Sequence, residues 1–406
     1  MKKIYIINTK RSAIGKFLGA LYECDPTIVC TEIINSLFEE TNINKNDVDE
    51  SVLGNVISAG LGQGIARKIV INAGIPESSP AYSINMVCGS GMQAVINGAK
   101  AIMCGNDLEL CGGFEFMSNI PFATSSYIRL GKKFGDFEMI DLLIKDGLID
   151  SFTGVHMGIT AENIARRLSI SREEQDEYSY LAQVRAIAAV DSGAFADEIA
   201  PVSLKDWKNN EYIFDTDEFP NRKSNPTKLA TLKPTFLKDG TGTVTAGSSS
   251  GINDGAAFVL IGSGEYCTKN NIQPLIEIVG TSSVGCNPQE MGLGPYYAIK
   301  KLLLKSKISF KDIDVFEINE AFAAQILGCY KLLAKEYNVS IEYIIKRSNL
   351  LGSGLGLGHP LGATGARIIT TLDHYMRKNN VKYGIASLCI GGGQGTAVLL
   401  KKVDLK

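Results

Sequence analysis

A seven-residue segment recurs 265 positions along the chain, and the elements after each copy come in the same order. Ile43-Asn-Lys-Asn-Asp47-Val48-Asp49 resembles Ile308-Ser-Phe-Lys-Asp312-Ile313-Asp314, and each precedes an apolar strand. A glycine-rich turn then opens a helix, at Cys88-Gly-Ser-Gly-Met in one half and Gly358-His359-Pro-Leu-Gly in the other. Each half ends with a strand leading into Cys111-Gly-Gly or Cys389-Ile-Gly-Gly-Gly. A chance match of seven residues is the competing reading, and the shared order argues against it. The chain reads as a duplicated α/β unit.

Local patterns agree. Strands are expected at Lys3–Asn8, Val52–Ile57 and Asp107–Cys111, with helices at Thr27–Thr41 and Gly91–Cys104 between them. In the first helix Ile28, Cys30, Ile33, Ile34 and Leu37 recur at helical spacing. Such alternation predicts an α/β architecture with largely parallel strands. Residues 121–240 differ: they are more charged, Pro-broken and hold Trp207, the one tryptophan. Within them Ser169–Val190 reads as a helix, Ser171 and Glu174 forming a capping box, while Trp207–Lys238 reads as loop. The expected organisation is a first half over 1–120 and 241–268, an inserted cap over 121–240, and a second half over 269–406.

Composition bounds the function. The 41 basic and 43 acidic residues nearly cancel, which argues against a nucleic-acid partner. No apolar run reaches the ~18 residues of a membrane span, and the start MKKIYIINTK has too short an apolar stretch for a signal peptide. Nine cysteines, an odd number with no CxxC pair, read as reduced thiols without a structural zinc site, so the cytoplasm is the expected compartment.

Four segments carry the chemistry. In Asn85-Met-Val-Cys88-Gly-Ser-Gly a thiol precedes a helix, whose positive end favours thiolate; a buried structural cysteine is the alternative. In Gly352–Gly365 the lone His359 lies among glycines that leave its imidazole free, as a base for a Cys or Ser nucleophile or as a surface-turn residue. At Leu388-Cys389-Ile-Gly391-Gly-Gly a strand ends at a thiol and enters a turn whose N–H groups can bind an oxyanion. Asn319-Glu320 ends a strand and is equally readable as a helix cap.

Rival motifs are weaker. Gly89-Ser-Gly91-Met-Gln-Ala94 fits GxGxxA but lacks the acidic partner of a dinucleotide site. Gly247-Ser-Ser249-Ser-Gly251 fits the hydrolase GxSxG, after only a short, partly apolar stretch. Three histidines and no HExxH leave little for a catalytic metal, and none is expected.

Taken together, NMVCGSGMQA, NEAFA, GLGHPLGATGAR and CIGGGQG resemble the thiolases, and GDFEMIDLLIKDGL, HMGITAEN, TVTAGSSSGINDGAA and MGLGP extend the likeness from Lys3 to about Leu400. The resemblance implies two βαβαβαββ halves in a five-layered α/β/α/β/α sandwich, with a loop domain inserted in the first. It implies Cys88 as the acyl-accepting nucleophile, His359 as the base that takes its proton, and Cys389 as the acid/base for the α-carbon proton. Asn319 would hold a water that forms one oxyanion site with His359, and the N–H groups of Cys88 and Gly391 would form the second. Leu148, His156, Met157, Phe236, Ala246, Ser250, Met291, Ala321 and Phe322 match the pantetheine and acyl channel. Arg222 and Lys223 match, loosely, the nucleotide end of CoA. Ser248 and Leu351 stand where the family usually has Asn, and Asp239–Thr243 holds an extra residue.

The implied activity is condensation of two acetyl-CoA to acetoacetyl-CoA and CoA, with the reverse thiolysis. No cofactor is implied, CoA being substrate and product. The partners implied are acyl-CoA thioesters and further copies of the chain, as a dimer or tetramer, with no membrane. His156-Met157 resembles short-chain members. A 3-ketoacyl-CoA thiolase for longer chains is the nearer alternative, and a catalytically silent CoA or lipid carrier the more distant one.

Overall fold

The computed structural model describes residues 2–41, 43–205 and 208–403. Trp207, part of the expected loop, lies outside the described residues.

The duplication is visible at the level of single turns. Lys45–Asp47 and Phe310–Asp312, the two copies of the repeated segment, are both 3₁₀ turns, capped by the side chains of Asn44 and Ser309. A strand follows each, β2 (Glu50–Gly54) and β7 (Val315–Ile318). The other main strands are β1 (Ile4–Arg11), β3 (Ala81–Ile84), β4 (Leu108–Phe116), β5 (Asn253–Ser263), β6 (Ile276–Gly285), β8 (Tyr383–Ile390) and β9 (Gln394–Lys402). They form one continuous sheet in the order β7-β8-β9-β6-β1-β5-β4-β2-β3. The halves join where Tyr5 and Ile6 of β1 meet Glu277 and Ile276 of β6.

The expectation of largely parallel strands is corrected here. Parallel pairing is confined to β7/β8 and β3/β2/β4 at the two flanks, and every pair between them is antiparallel. Within the second half the reason is local: β8 turns directly into β9 through Gly392 and Gly393, both at positive φ, so the two strands run antiparallel.

Helices fill the layers. α1 (Pro26–Glu39) starts where the Asp25 side chain accepts from the Thr27 N–H and Pro26 presets the first turn. It buries Val29, Cys30, Ile33, Ile34 and Leu37 against the first half, beside α2 (Ile65–Asn72). α6 (Gly294–Ser306) and α7 (Ala323–Tyr337) cover the second half. Between the halves lie α3 (Ser90–Cys104) and α8 (Leu361–Asn379), which pack on each other and on strands of both. These are the five layers of the α/β/α/β/α sandwich.

The segment between β4 and β5 carries α4 (Met157–Arg167) and α5 (Arg172–Asp191). The Ser171–Glu174 capping box forms, but α5 starts three residues later than expected, because Ser169 sits at φ 49° in the turn before it. The stretch expected as loop also holds a strand at Glu211–Phe214, paired with Val202–Lys205, and a helix at Pro226–Thr231 capped by Asn225. Cys111 does not end its strand: β4 runs on through Gly112 and Gly113 to Phe116. A side chain at Gly113 would strike the Gly362 carbonyl and one at Gly112 would strike Ala257 and Phe258 of β5, so these glycines mark close packing on α8 and on the neighbouring strand and not a turn.

Candidate active site

Cys88 lies between β3 and α3 on a strained elbow. Val87, β-branched, is held at φ 46°. Asn85 maintains this: its Oδ1 accepts from the Val87 N–H at 2.9 Å and its Nδ2 donates to the Val56 carbonyl at 3.0 Å. Ser90 Oγ donates to the Val87 carbonyl at 2.6 Å and accepts from the Met86 N–H at 2.9 Å. Burial pushes the Cys88 thiol up to about 11, against the N–H groups of Gly391 and of Cys88 itself, which pull it down. The sequence-based expectation of a helix-lowered thiol is therefore corrected: desolvation outweighs the polar donors, and ionisation needs a base.

A candidate for that base is at hand because α3 and α8 cross at their first turns. A Cβ on Gly91 would lie 2.7 Å from the Gly362 carbonyl oxygen, and one on Gly365 would strike the Met92 backbone. Small residues here let the helices touch, which brings the residues just before them, Cys88 and His359, to one cavity. The expectation that glycines leave the imidazole free is corrected. His359 is buried; its Nδ1 lies 2.7 Å from Thr364 Oγ1, and Asn319 Nδ2 is 3.4 Å from both ring nitrogens. Its own N–H donates to Asn253 Oδ1 at 3.0 Å. Burial, with the nearby Arg367 charge, holds the imidazole down to about 3, so it is neutral at neutral pH.

Cys389 is the last residue but one of β8 and is fully buried; burial, then the Cys88 and Cys329 thiols, keep it well above the usual range. Its turn meets the Cys88 turn directly, since a Cβ on Gly89 would strike Ile390. Asn319 follows β7, and its Oδ1 is buried with no protein partner.

Cys88, His359 and Cys389 share one apolar cavity of about 440 Å³ with Leu148, His156, Met157, Phe236, Ala246, Ser250, Met291, Ala321 and Phe322, all expected from the sequence. His156 caps α4 through Nδ1, which accepts from the Gly158 N–H at 3.1 Å, and stacks on Phe236 at 4.8 Å between centroids. Arg222 is not in this cavity. It is paired with Asp191 at 2.5 Å and lines an outer groove with Lys16, Lys223 and Lys228. The two spaces share Phe219, Ala246 and Ser249. Ser249 also lines the cavity, but its hydroxyl donates to the Thr245 carbonyl at 2.7 Å and it follows a 3₁₀ turn, not a strand, so the hydrolase elbow is absent there.

Ser248, one of the departures, closes a reciprocal cap with Thr245, and Leu351 packs on the first-half core. The sequence reading missed Val87, Thr364, Met117 and Leu361. Thr364 gave only a generic signal, a hydroxyl residue in the first turn of the helix that His359 precedes, where it bonds back to the Pro360 carbonyl. Val87 had none, because its strain comes from Asn85 and Ser90 folding back on it.

Acyl transfer is the class that such a cavity on such a sandwich defines. The family profiles described as "Thiolase, N-terminal domain" and "Thiolase, C-terminal domain" match residues 4–265 and 272–402. An acetyl-CoA acetyltransferase of Chromobacterium violaceum is 42% identical over 401 residues, covering 98% of this chain and 100% of that one. A probable acetyl-CoA acyltransferase of Staphylococcus aureus is 41% identical over 403 residues, with 99% and 100% covered. The crystal structure of the Bacillus anthracis acetyl-CoA acetyltransferase superposes with a TM-score of 0.93 at 39% identity, and that of human mitochondrial 3-ketoacyl-CoA thiolase with 0.92 at 37%, each covering 99% of both chains. The chain belongs to the thiolase family.

Proposed function

We propose that this enzyme condenses two acetyl-CoA to acetoacetyl-CoA and CoA, and runs the reverse thiolysis, through an acyl group carried on Cys88. The observation that carries the reading is that Cys88, His359 and Cys389 line one apolar cavity, where the Cys88 and Gly391 N–H groups pull the thiol down against its burial.

His359, neutral at working pH, takes the thiol proton, and the thiolate attacks the acetyl-CoA carbonyl. The N–H groups of Cys88 and Gly391 receive the oxyanion as it forms. Cys389 gives its proton to the departing CoA thiolate, so CoA leaves as the thiol, Cys389 is left as thiolate and the acetyl group stays on the Cys88 sulfur. The Cys389 thiolate then removes an α-proton from a second acetyl-CoA, and the resulting carbanion attacks the acetyl-Cys88 carbonyl. The carbon–sulfur bond breaks to release acetoacetyl-CoA, and the Cys88 thiolate takes back the proton held by His359. The enolate oxygen is met by His359 and by a water on Asn319. The unpaired Asn319 Oδ1 suits that role, since such a water donates one hydrogen to it and keeps one for the oxyanion. CoA is substrate and product throughout, and the scheme calls for no other cofactor.

The apolar neck carries the pantetheine, and the groove with Lys16, Lys223 and Lys228 takes the phosphates; Arg222 reaches them only by leaving Asp191. Acetyl specificity is supported by the His156-Met157 pair and by relatives named for acetyl-CoA. Nine free cysteines suit a reducing cytoplasm, and among the described residues no helix is long and apolar enough to cross a membrane. Further copies of the chain are the expected partner. The hairpin Phe122–Thr124 with Met139–Asp141 and the loop joining its strands expose Tyr127, Leu130, Phe134 and Met139, an apolar arm suited to contact between copies.

The test is thiolysis across 3-ketoacyl-CoA chain lengths. The reading expects kcat/KM to be highest for acetoacetyl-CoA. A maximum at eight or more carbons would instead favour the long-chain reading.

A further inference from the structure

Glu115 is a fully buried carboxylate near the end of β4, and N–H groups, not a cation, surround it. Its Oε1 accepts from Asn55 Nδ2 at 3.0 Å and the Ile57 N–H at 3.2 Å; its Oε2 accepts from the Val56 N–H at 2.9 Å and the Gly362 N–H at 3.0 Å. Gly362 lies in the first turn of α8, whose N-cap residue Pro360 supplies no side-chain cap. Glu115 thus caps α8 from another strand, where a negative charge meets the positive end of the helix. On its other side Val56 accepts from Asn85, which holds the Val87 N–H next to Cys88. One carboxylate therefore ties the segment that presents His359 to the segment that presents Cys88.

We infer that Glu115 is a positioning residue for acyl transfer: it holds the first turn of α8, and His359 with it, in register with Cys88. The inference rests on the reading of Cys88 as nucleophile and His359 as its base.

The chemistry demands a carboxylate of this length. Each oxygen receives two donors, so a glutamine would turn its NH₂ against two N–H groups, and an aspartate is one methylene short. Space is equally fixed, for a Cβ on Gly362 would come 2.7 Å from Glu115 Oε2. A purely electrostatic role predicts the opposite effect. The Glu115 charge raises the Cys88 pKa, so its removal alone would make the thiol more reactive. Burial pushes the Glu115 carboxyl up to about 7 and Asp254 adds to this, while the Val56, Ile57 and Gly362 N–H groups oppose it.

The experiment compares wild type, Glu115→Gln and Asn55→Ala as full chains whose folding is checked by thermal melting. Formation of acetyl-Cys88 from acetyl-CoA is followed by rapid-quench intact mass spectrometry. Steady-state thiolysis gives kcat and KM, and iodoacetamide gives the alkylation rate of Cys88. The expected result for Glu115→Gln is acetylation slowed about 10- to 100-fold, as for a reacting group misplaced by roughly 1 Å. KM should stay within about twofold, and alkylation, which also needs the thiolate that His359 generates, should slow as well. Asn55→Ala, which removes one of the four donors, should slow acetylation about threefold, and it decides the matter if Glu115→Gln does not fold. Folded Glu115→Gln acetylated at the wild-type rate, or alkylated faster than wild type as loss of the Glu115 charge alone would give, overturns the inference. So does wild-type acetylation in Asn55→Ala when that variant decides. A wild type that takes up no acetyl group refutes the parent reading instead, which keeps the two failures apart.

Discussion

His359 Nδ1 lies 2.7 Å from Thr364 Oγ1, and the Thr364 hydroxyl donates its single hydrogen to the Pro360 carbonyl at 2.8 Å. With that hydrogen committed, Thr364 can only accept from the ring, so Nδ1 carries the imidazole proton and Nε2 keeps a lone pair. A residue that faces no substrate thereby decides which nitrogen can act as base. Thr364→Val should slow Cys88 acetylation by roughly 10²-fold, the lower range for lost general-base catalysis, with KM little changed. Thr364→Ser should restore most of it. Equal rates in Thr364→Val and wild type would show that another contact sets the tautomer.

Cys389 should be the group without which the carbon-bound proton cannot move. Cys389→Ala is expected to accumulate acetyl-Cys88 from acetyl-CoA, slowed in so far as Cys389 protonates the departing thiolate. It should fail to exchange the methyl hydrogens of acetyl-CoA with deuterated solvent, read by NMR, and should not condense. Undiminished exchange in this variant would move the carbon base to another group, His359 first.

The fold was legible where a signal is local. The seven-residue echo became twin 3₁₀ turns, and Ser171 with Glu174 capped α5 as read. Cys88, His359 and Cys389 stood out because glycines flank them. Strand direction was not legible, because β1, β5 and β4 are joined in the sheet by residues more than a hundred positions apart. Glu115 and Thr364 escaped for the same reason. Their meaning lies in partners such as Gly362, 247 residues from Glu115, and in a tautomer that no pattern of residue types encodes.

The buried imidazole should leave a mark on acid stability. His359 is held down to about 3, whereas an unfolded chain binds that proton near 6.5. Its contribution is complete above pH 6.5 and is lost as pH falls toward 3. Glu115, raised to about 7, and Glu317, raised to about 8, run the other way: their contributions are complete below pH ~4.3 and are lost as pH rises through 7 and 8. Between pH 6.5 and 4.5, His359→Asn should therefore lose less stability than wild type, by up to ~2–3 kcal/mol in urea unfolding. Parallel curves over that interval would mean that the ring is already charged in the folded protein.

Contact between copies should depend on the apolar arm. Leu130→Ser with Phe134→Ser, both exposed and away from the cavity, should lower the mass measured by sedimentation equilibrium. Folding should be unaffected. An unchanged mass would place the contact elsewhere on the surface.

The central claim is that the acyl group is carried on Cys88. Wild-type enzyme mixed with acetyl-CoA alone, quenched in acid and digested should yield one acetylated peptide. The account predicts a gain of one acetyl group on the peptide containing Cys88, absent from Cys88→Ala, whose thiolysis rate should fall at least ~10⁴-fold without loss of fold. An acetyl group found instead on Ser249 or Cys389, or a Cys88→Ala variant that still turns over, would contradict it.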